Sequence, residues 1–193
     1  MCIRDRGSRS SMLTTRRPPP EPTAAPPPAS HAMLDILSIP EEVRGLGHEY
    51  SYRILARRDG RAQRPVVALF ELGRAVEVVH LTVLHFADGV PHVLEERVIH
   101  LATVPAAGQE QFAAMPPGDW LLQNSLWSQA EHAISAVAAE TDQAQLLAIG
   151  EGEPCLLVER RTWNQREPVT AVRLLYPGGR HRFIGRFGPY GKV

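Results

Sequence analysis

Cysteine is scarce in this chain of 193 residues, with Cys2 and Cys155 the only two. They lie far apart in dissimilar surroundings, whereas a secreted chain of this size that relies on crosslinks carries several pairs. Reduced thiols and a cytoplasmic location are the expectation. No apolar run approaches the roughly 20 residues needed to span a bilayer, and the start lacks the apolar core of a signal peptide. No membrane partner is therefore expected. Net charge is missing as well, since Lys plus Arg number 21 and Asp plus Glu number 21. That removes the electrostatic footprint of a protein that grips nucleic acid by itself. The anchoring motifs of the common enzyme classes are also absent: there is no Gly-x-Ser-x-Gly elbow, no P-loop and no dinucleotide fingerprint. No catalytic residue and no cofactor are assigned.

What is present begins with a stretch that cannot build a core. Residues 1–32 are rich in Arg, Ser and Pro, including Pro18, Pro19, Pro20, Pro26, Pro27 and Pro28, and are expected to be disordered. Residues 1–6 look like translated adapter or assembly sequence, and the rest like linker. From Met33 onward apolar residues recur, and 44% hydrophobic content suffices for one core of ordinary domain size. A domain over residues 33–187 with a short tail, 188–193, is the expectation.

Within that domain the strand signals dominate. A short helix around Glu41–Arg44 closes at Gly45 and Gly47. Tyr50–Arg57 alternates as a strand does, and Val66–Leu72 suggests a helical turn or two. Val76–Phe86 and Val90–His100, rich in Val, Leu and Ile, flank Ala87, Asp88 and Gly89 as a β-hairpin. Pro116, Pro117 and Gly118 split two short helical stretches between Ala106 and Asn124. Ala130–Ala139 is Ala-rich like a helix yet alternates at Ile134, Ala136 and Ala138, which favours strand. Thr141 caps a helix that Gly150 stops. A second hairpin, Cys155–Trp163 and Val169–Tyr176, is joined through residues 164–167, and a last strand is expected at Arg182–Ile184. Strands linked mainly by hairpins, with helices inserted, describe an α+β domain on a mainly antiparallel sheet.

Four of the eight histidines, His80, His85, His92 and His100, fall in the first hairpin beside Glu95 and Glu96. Metal ligands must converge on one point, and scattered strand histidines are more often surface or satisfied core residues, so no metal is assigned. A three-residue loop at Ala87, Asp88 and Gly89 pairs Phe86 with Val90 and puts His85 and Glu95 on one face. Leu81 then lies opposite Glu95, with His80, His92 and Glu96 on the other face. A carboxylate and an imidazole bordering an apolar strand surface are either a structural hydrogen-bonded pair or the polar fixtures of a small-ligand pocket.

His80–His100, HLTVLHFADGVPHVLEERVIH, is similar to the first hairpin of UTRA domains in GntR-superfamily regulators. There a polar residue before the turn and a Glu after it help to bind the effector, and His85 and Glu95 match these positions. Val83 stands where sugar-phosphate-sensing relatives carry a polar or basic contact. Glu131 and His132 in QAEHAISAVAAE, then Gly152–Leu156, Arg160–Trp163 and Pro177–Phe183, resemble the histidine-utilisation repressor branch. His181 stands where those relatives usually carry Tyr.

The resemblance implies a fold like that of chorismate lyase and a dimeric repressor whose effector is urocanate. It also implies a winged helix-turn-helix of roughly 70 residues ahead of the sensor. Residues 1–30 have too many prolines and too few apolar residues to be that headpiece, so operator DNA would be reached only through a segment missing here. Urocanate carries a carboxylate and an imidazole, which ask for a cationic or donor partner and an acceptor. The candidate ligand-binding residues are His85, Glu95, Arg173 and His181, with Thr170 and Arg180 behind them. Arg173 and Thr170 are chosen for lying on the final hairpin strand, and Arg180 could equally cap a strand end. A lyase-like enzyme and a dimerisation module with a vestigial pocket are the alternatives.

Overall fold

Six strands carry the architecture, and their order follows from two hairpins that meet side by side. The computed structural model describes residues 38–62 and 76–183. Helix α1 (Ile39–Gly45) leads into β1 (Tyr50–Arg61), β2 (Glu77–Ala87) and β3 (Val90–His100). A 3₁₀ turn (Pro105–Gly108) and helix α2 (Pro117–Asn124) follow, then β4 (Gln129–Ala138), helix α3 (Thr141–Leu147), β5 (Pro154–Asn164) and β6 (Glu167–Pro177). All neighbours pair antiparallel in the order β1-β2-β3-β6-β5-β4. The expected α+β class is what the chain adopts, and the Ala-rich stretch from Ala130 is strand as far as Ala138. The expected disorder of residues 1–32, the helical turns at 66–72 and the tail at 188–193 lie outside the described residues.

Alternation along the strands sorts the side chains onto two faces. Val79, Leu81, Val83 and Ile99 meet Phe112 and Leu121 on one face. Val93, Val158, Val172 and Leu174 meet Ile39 and Val43 of α1 on that same face. Leu84, Leu94, Leu157 and Leu175 pack against Ala144 and Leu147 of α3 on the other. Helices on both sides thus bury most of the sheet, which accounts for strands such as β6 that are apolar at successive positions.

The helices are short and owe their ends to particular residues. Ser38 caps α1, its Oγ accepting from the Glu41 amide at 3.2 Å, and Pro40 stands in the first turn, where no amide partner is required. Pro117 opens α2 in the same way. The cap of α3 is Glu140 in a reciprocal box with Gln143, not Thr141, whose hydroxyl turns to Glu151 at 2.9 Å. Its stop is Ala148 in the left-handed region, φ 51°, ahead of Gly150.

Two further expectations are corrected at the ends of the hairpins. Asp88 (φ 50°) and Gly89 (φ 76°) form a two-residue turn, so Ala87 rather than Phe86 pairs with Val90. Left-handed conformation at both positions matches the twist of the flanking strands. At the C-terminal end, residues 181–183 are not strand, and Ile184 lies outside the described residues. The Gly178 amide donates to the Pro154 carbonyl at 2.9 Å, a close approach in which a Cβ would meet that oxygen at 2.7 Å. The chain turns off the sheet there, and His181 packs on Tyr176.

Candidate ligand-binding site

A two-residue turn by itself would have put His85 and Glu95 on opposite faces. The register shifts once more at His85, however, which pairs with Val93 while Phe86 pairs with Pro91, leaving His92 as an extra residue on β3. That bulge restores the shared face. Glu95 lies opposite Val83, not Leu81, and Arg97 takes the place opposite Leu81. His92 is redirected toward α1, where its Nε2 meets Glu42 Oε1 at 2.8 Å, contrary to its expected place on the far face.

The result is a buried polar chain in an otherwise apolar face. His85 Nε2 donates to Glu95 Oε2 at 3.0 Å, and Arg97 Nε donates to Glu95 Oε1. A carboxylate can only accept, so His85 Nε2 carries a proton, and Nδ1 lies 2.8 Å from the Tyr50 hydroxyl. Arg97 Nη1 reaches Thr170 Oγ1 at 3.3 Å, and that hydroxyl donates to the Val98 carbonyl at 2.8 Å. His85 and Glu95 are each 1% exposed. Burial pushes the Glu95 carboxyl up, but the Arg97 guanidinium and the His85 hydrogen bond outweigh it and hold the group down at about 2. Burial, with Glu95 and Asp119 nearby, raises the Tyr50 phenol, which stays protonated.

These groups form part of the wall of an open cavity of about 630 Å³, solvent at its mouth included. Helix α1 contributes Ser38, Ile39 and Pro40, α2 contributes Asp119, Leu121 and Leu122, and Trp127 stands in the segment after α2. Ser38 Oγ donates to Asp119 Oδ2 at 3.0 Å, which ties the start of α1 to the first turn of α2. Burial pushes the Asp119 carboxyl up. From β5, Arg160 and Thr162 enter the lining, and β6 adds Val169, Thr170 and Leu174. Arg160 Nε is buried without a hydrogen-bond partner. Burial and then Arg97 lower its guanidinium to about 10, against the opposing influence of Tyr176 and Glu95.

Of the six residues singled out from sequence, His85, Glu95 and Thr170 come together at this cavity. The other three do not. Arg173 stands on the opposite face, exposed, with Nη1 3.5 Å from Glu96 and Nε 3.3 Å from Glu159. Its neighbours Val172 and Leu174 point inward, so a period of two sends Arg173 out. Arg180 Nη2 donates to the Leu147 carbonyl at 2.8 Å and closes the end of α3. His181 joins Glu42, His92 and Tyr176 beyond the cavity. Sequence reasoning missed Arg97, Asp119 and Arg160. Arg97 was available, since it lies two positions beyond Glu95 and shares its face, whereas Arg160 needed the β5–β6 register that pairs it with Val172. The four hairpin histidines do not converge, His92 having gone to the Glu42 cluster.

Comparison with known proteins agrees with this architecture. The UTRA domain model matches residues 45–182. A histidine utilization repressor from Pseudomonas putida is 35% identical over 156 residues, covering 81% of this chain and 63% of the relative. One from Klebsiella aerogenes is 31% identical over 157 residues, 81% of this chain and 65% of that protein. The chain therefore spans somewhat under two thirds of these relatives. Among solved structures, the C-terminal domain of the histidine utilization repressor from Pseudomonas syringae pv. tomato superposes with a TM-score of 0.68 at 34% identity, over 72% of this chain and 99% of that one. The effector domain of PhnF from Mycobacterium smegmatis gives 0.67 at 19% identity, over 78% and 94%, a likeness of fold alone. Matched over most of its described length by the family model, the chain belongs to the UTRA domain family.

Proposed function

We propose that this domain senses urocanate for a GntR-family repressor of histidine utilisation, through the cavity between the sheet and helices α1 and α2. The observation that carries the reading is Arg160, a cavity-lining guanidinium whose Nε is buried with no partner. A buried donor without a partner costs stability unless something completes it, and a carboxylate does so with a charge-assisted bond. Asp119, also in the lining, can accept from an imidazole N–H. His85, Glu95, Arg97 and Thr170 act as a fixed polar floor that orients the ligand. Arg173, His181 and Arg180 serve the surface and the fold.

In the intact protein, a DNA-binding headpiece ahead of this domain would contact the operator as a homodimer in the cytoplasm. Effector binding would favour the sensor conformation in which the two headpieces misfit their half-sites. The repressor names carried by the similar proteins support regulation rather than catalysis as the task.

The test is the thermal midpoint of the purified chain against urocanate, histidine, N-acetylglucosamine 6-phosphate and chorismate. A ligand at 100 times its Kd stabilises by about 2.7 kcal/mol. A shift with urocanate alone is expected. A shift with a different compound moves the sensor to another pathway, and no shift with any of them refutes a working effector pocket.

A further inference from the structure

Outside the cavity, three metal-binding side chains from three separate elements point at one spot. Glu42 comes from α1, His92 from the bulge in β3, and His181 from the turn that leaves β6. Their ligand atoms all lie within 4.8 Å of one another. His92 Nε2 is 2.8 Å from Glu42 Oε1, and His181 Nδ1 is 3.5 Å from the same oxygen. Two ligand atoms at about 2.1 Å from a tetrahedral zinc stand about 3.4 Å apart, so this triangle is already near the size a metal requires.

Hydrogen bonding alone leaves the cluster unsatisfied. His181 Nε2 is buried and has no partner. If the ring proton sits there, Nδ1 turns a lone pair toward a carboxylate oxygen, acceptor facing acceptor. If it sits on Nδ1, the contact to Glu42 is long for a hydrogen bond. A cation bound between His92 Nε2, His181 Nδ1 and the carboxylate replaces the acceptor-to-acceptor contact with three coordinate bonds and leaves the His181 proton on Nε2.

The surroundings restrain the three side chains. The Tyr176 hydroxyl donates to the second carboxylate oxygen, Oε2, at 3.3 Å. The His181 ring stacks on the Tyr176 ring with centroids 4.0 Å apart, and the His92 ring stands edge-on to both. Such outer contacts fix ring orientation and carboxylate direction. The three side chains are 8–16% exposed, sheltered yet within reach of solvent.

We propose that Glu42, His92 and His181 form a binding site for a divalent transition metal, with zinc the best match to two imidazoles and one carboxylate. Zinc there would pin the body of α1 to β3 and to the end of β6. Ser38, Ile39 and Pro40 of the same helix wall the cavity, so the metal would set the position of one side of that cavity. The assignment stands on this cluster alone and is independent of which effector the cavity takes.

Zn²⁺ titrated calorimetrically into the EDTA-stripped full chain tests it. One zinc per chain is expected, weakened at least tenfold in His92→Gln and in His181→Gln and unchanged in His80→Gln. Affinity unaltered in the His92→Gln/His181→Gln double variant, or no zinc binding by the unmodified chain, overturns it. Should the variants unfold, the Co²⁺ spectrum of the unmodified chain decides. An intense visible band without thiolate charge transfer supports four nitrogen and oxygen ligands, whereas thiolate charge transfer, or an octahedral spectrum like that of aqueous cobalt, overturns the site.

Discussion

Glu95 Oε2 accepts from His85 Nε2 at 3.0 Å although the two residues are not cross-strand partners, because the bulge at His92 brings them to one face of the β2–β3 hairpin. Glu95 also neutralises the buried Arg97. Breaking a buried pair by removing one charge costs about 3–5 kcal/mol, since the survivor stays desolvated. Glu95→Gln should therefore unfold at markedly lower urea concentration than the parent, and Glu95→Gln combined with Arg97→Met should recover part of the loss. Equal midpoints for parent and single variant would show that the pair is not what stabilises this face.

Acid should weaken the fold in two windows. Burial, and then Arg160, lower the His132 imidazole from 6.5 to about 4, so the unfolded chain takes up that proton first and stability falls between those values. Glu95 is held down from 4.5 to about 2, so the stability due to its ionised form is present above pH 4.5 and lost as pH falls toward 2. Urea midpoints measured from pH 7 to pH 2 should decline in both ranges. His132→Gln should reduce the upper decline, to which His80, His100 and His181, also lowered by burial, contribute the rest, and should leave the lower one.

Removing the unpartnered cation should harm binding more than folding. Arg160→Gln takes away a half-buried charge that burial and Arg97 disfavour and whose Nε has no hydrogen-bond partner, so the thermal midpoint of the free chain should hold or rise. Hydrogen bonds to charged groups contribute about 1.5–3 kcal/mol, which corresponds to roughly 10- to 150-fold in urocanate affinity. Calorimetric titration of parent and variant checks this, and undiminished affinity would mean that the carboxylate is held elsewhere.

Arg173 supplies the matching control. Its ion pairs to Glu96 and Glu159 are exposed, and such pairs contribute about 0–1 kcal/mol. Arg173→Ala should leave urocanate affinity unchanged and move stability by no more than about that amount. A large loss of affinity would place the ligand on the opposite face of the sheet.

The end of α3 offers a stabilising change. Ala148 is exposed and sits at φ 51°, a conformation that costs a residue with a Cβ about 1–2 kcal/mol and glycine almost nothing. Ala148→Gly should raise the urea midpoint by an amount equivalent to about 1 kcal/mol, with no effect on ligand binding.

Both hairpins and the strand character of Ala130–Ala139 were legible because β-branched periodicity and turn residues are local signals. The length of the first turn was not. Ala87, Asp88 and Gly89 are compatible with two loop lengths, and only pairing of the whole strand decides between them. The face shared by His85 and Glu95 nevertheless emerged, because the shorter turn and the bulge displace the register in compensating ways. Alternation also puts Arg173 on the outward face, paired with Glu96. Arg160, Asp119 and the Glu42 cluster depend on contacts between elements distant in sequence, for which a single chain carries no local signal.

β3 and β6 pair only over residues 94–99 and 170–175, and this is where the two hairpins join. Glu95 and Arg97 stand on one side of that seam, Thr170 and Arg160 on the other. An occupant reaching from Arg97 to Arg160 would therefore act as a further clasp across two halves that meet along this ladder and through the apolar clusters on its two faces. Its presence would be felt in the slowed amide exchange of that ladder, and the two edge strands, β1 and β4, would move as one plate rather than as two leaves.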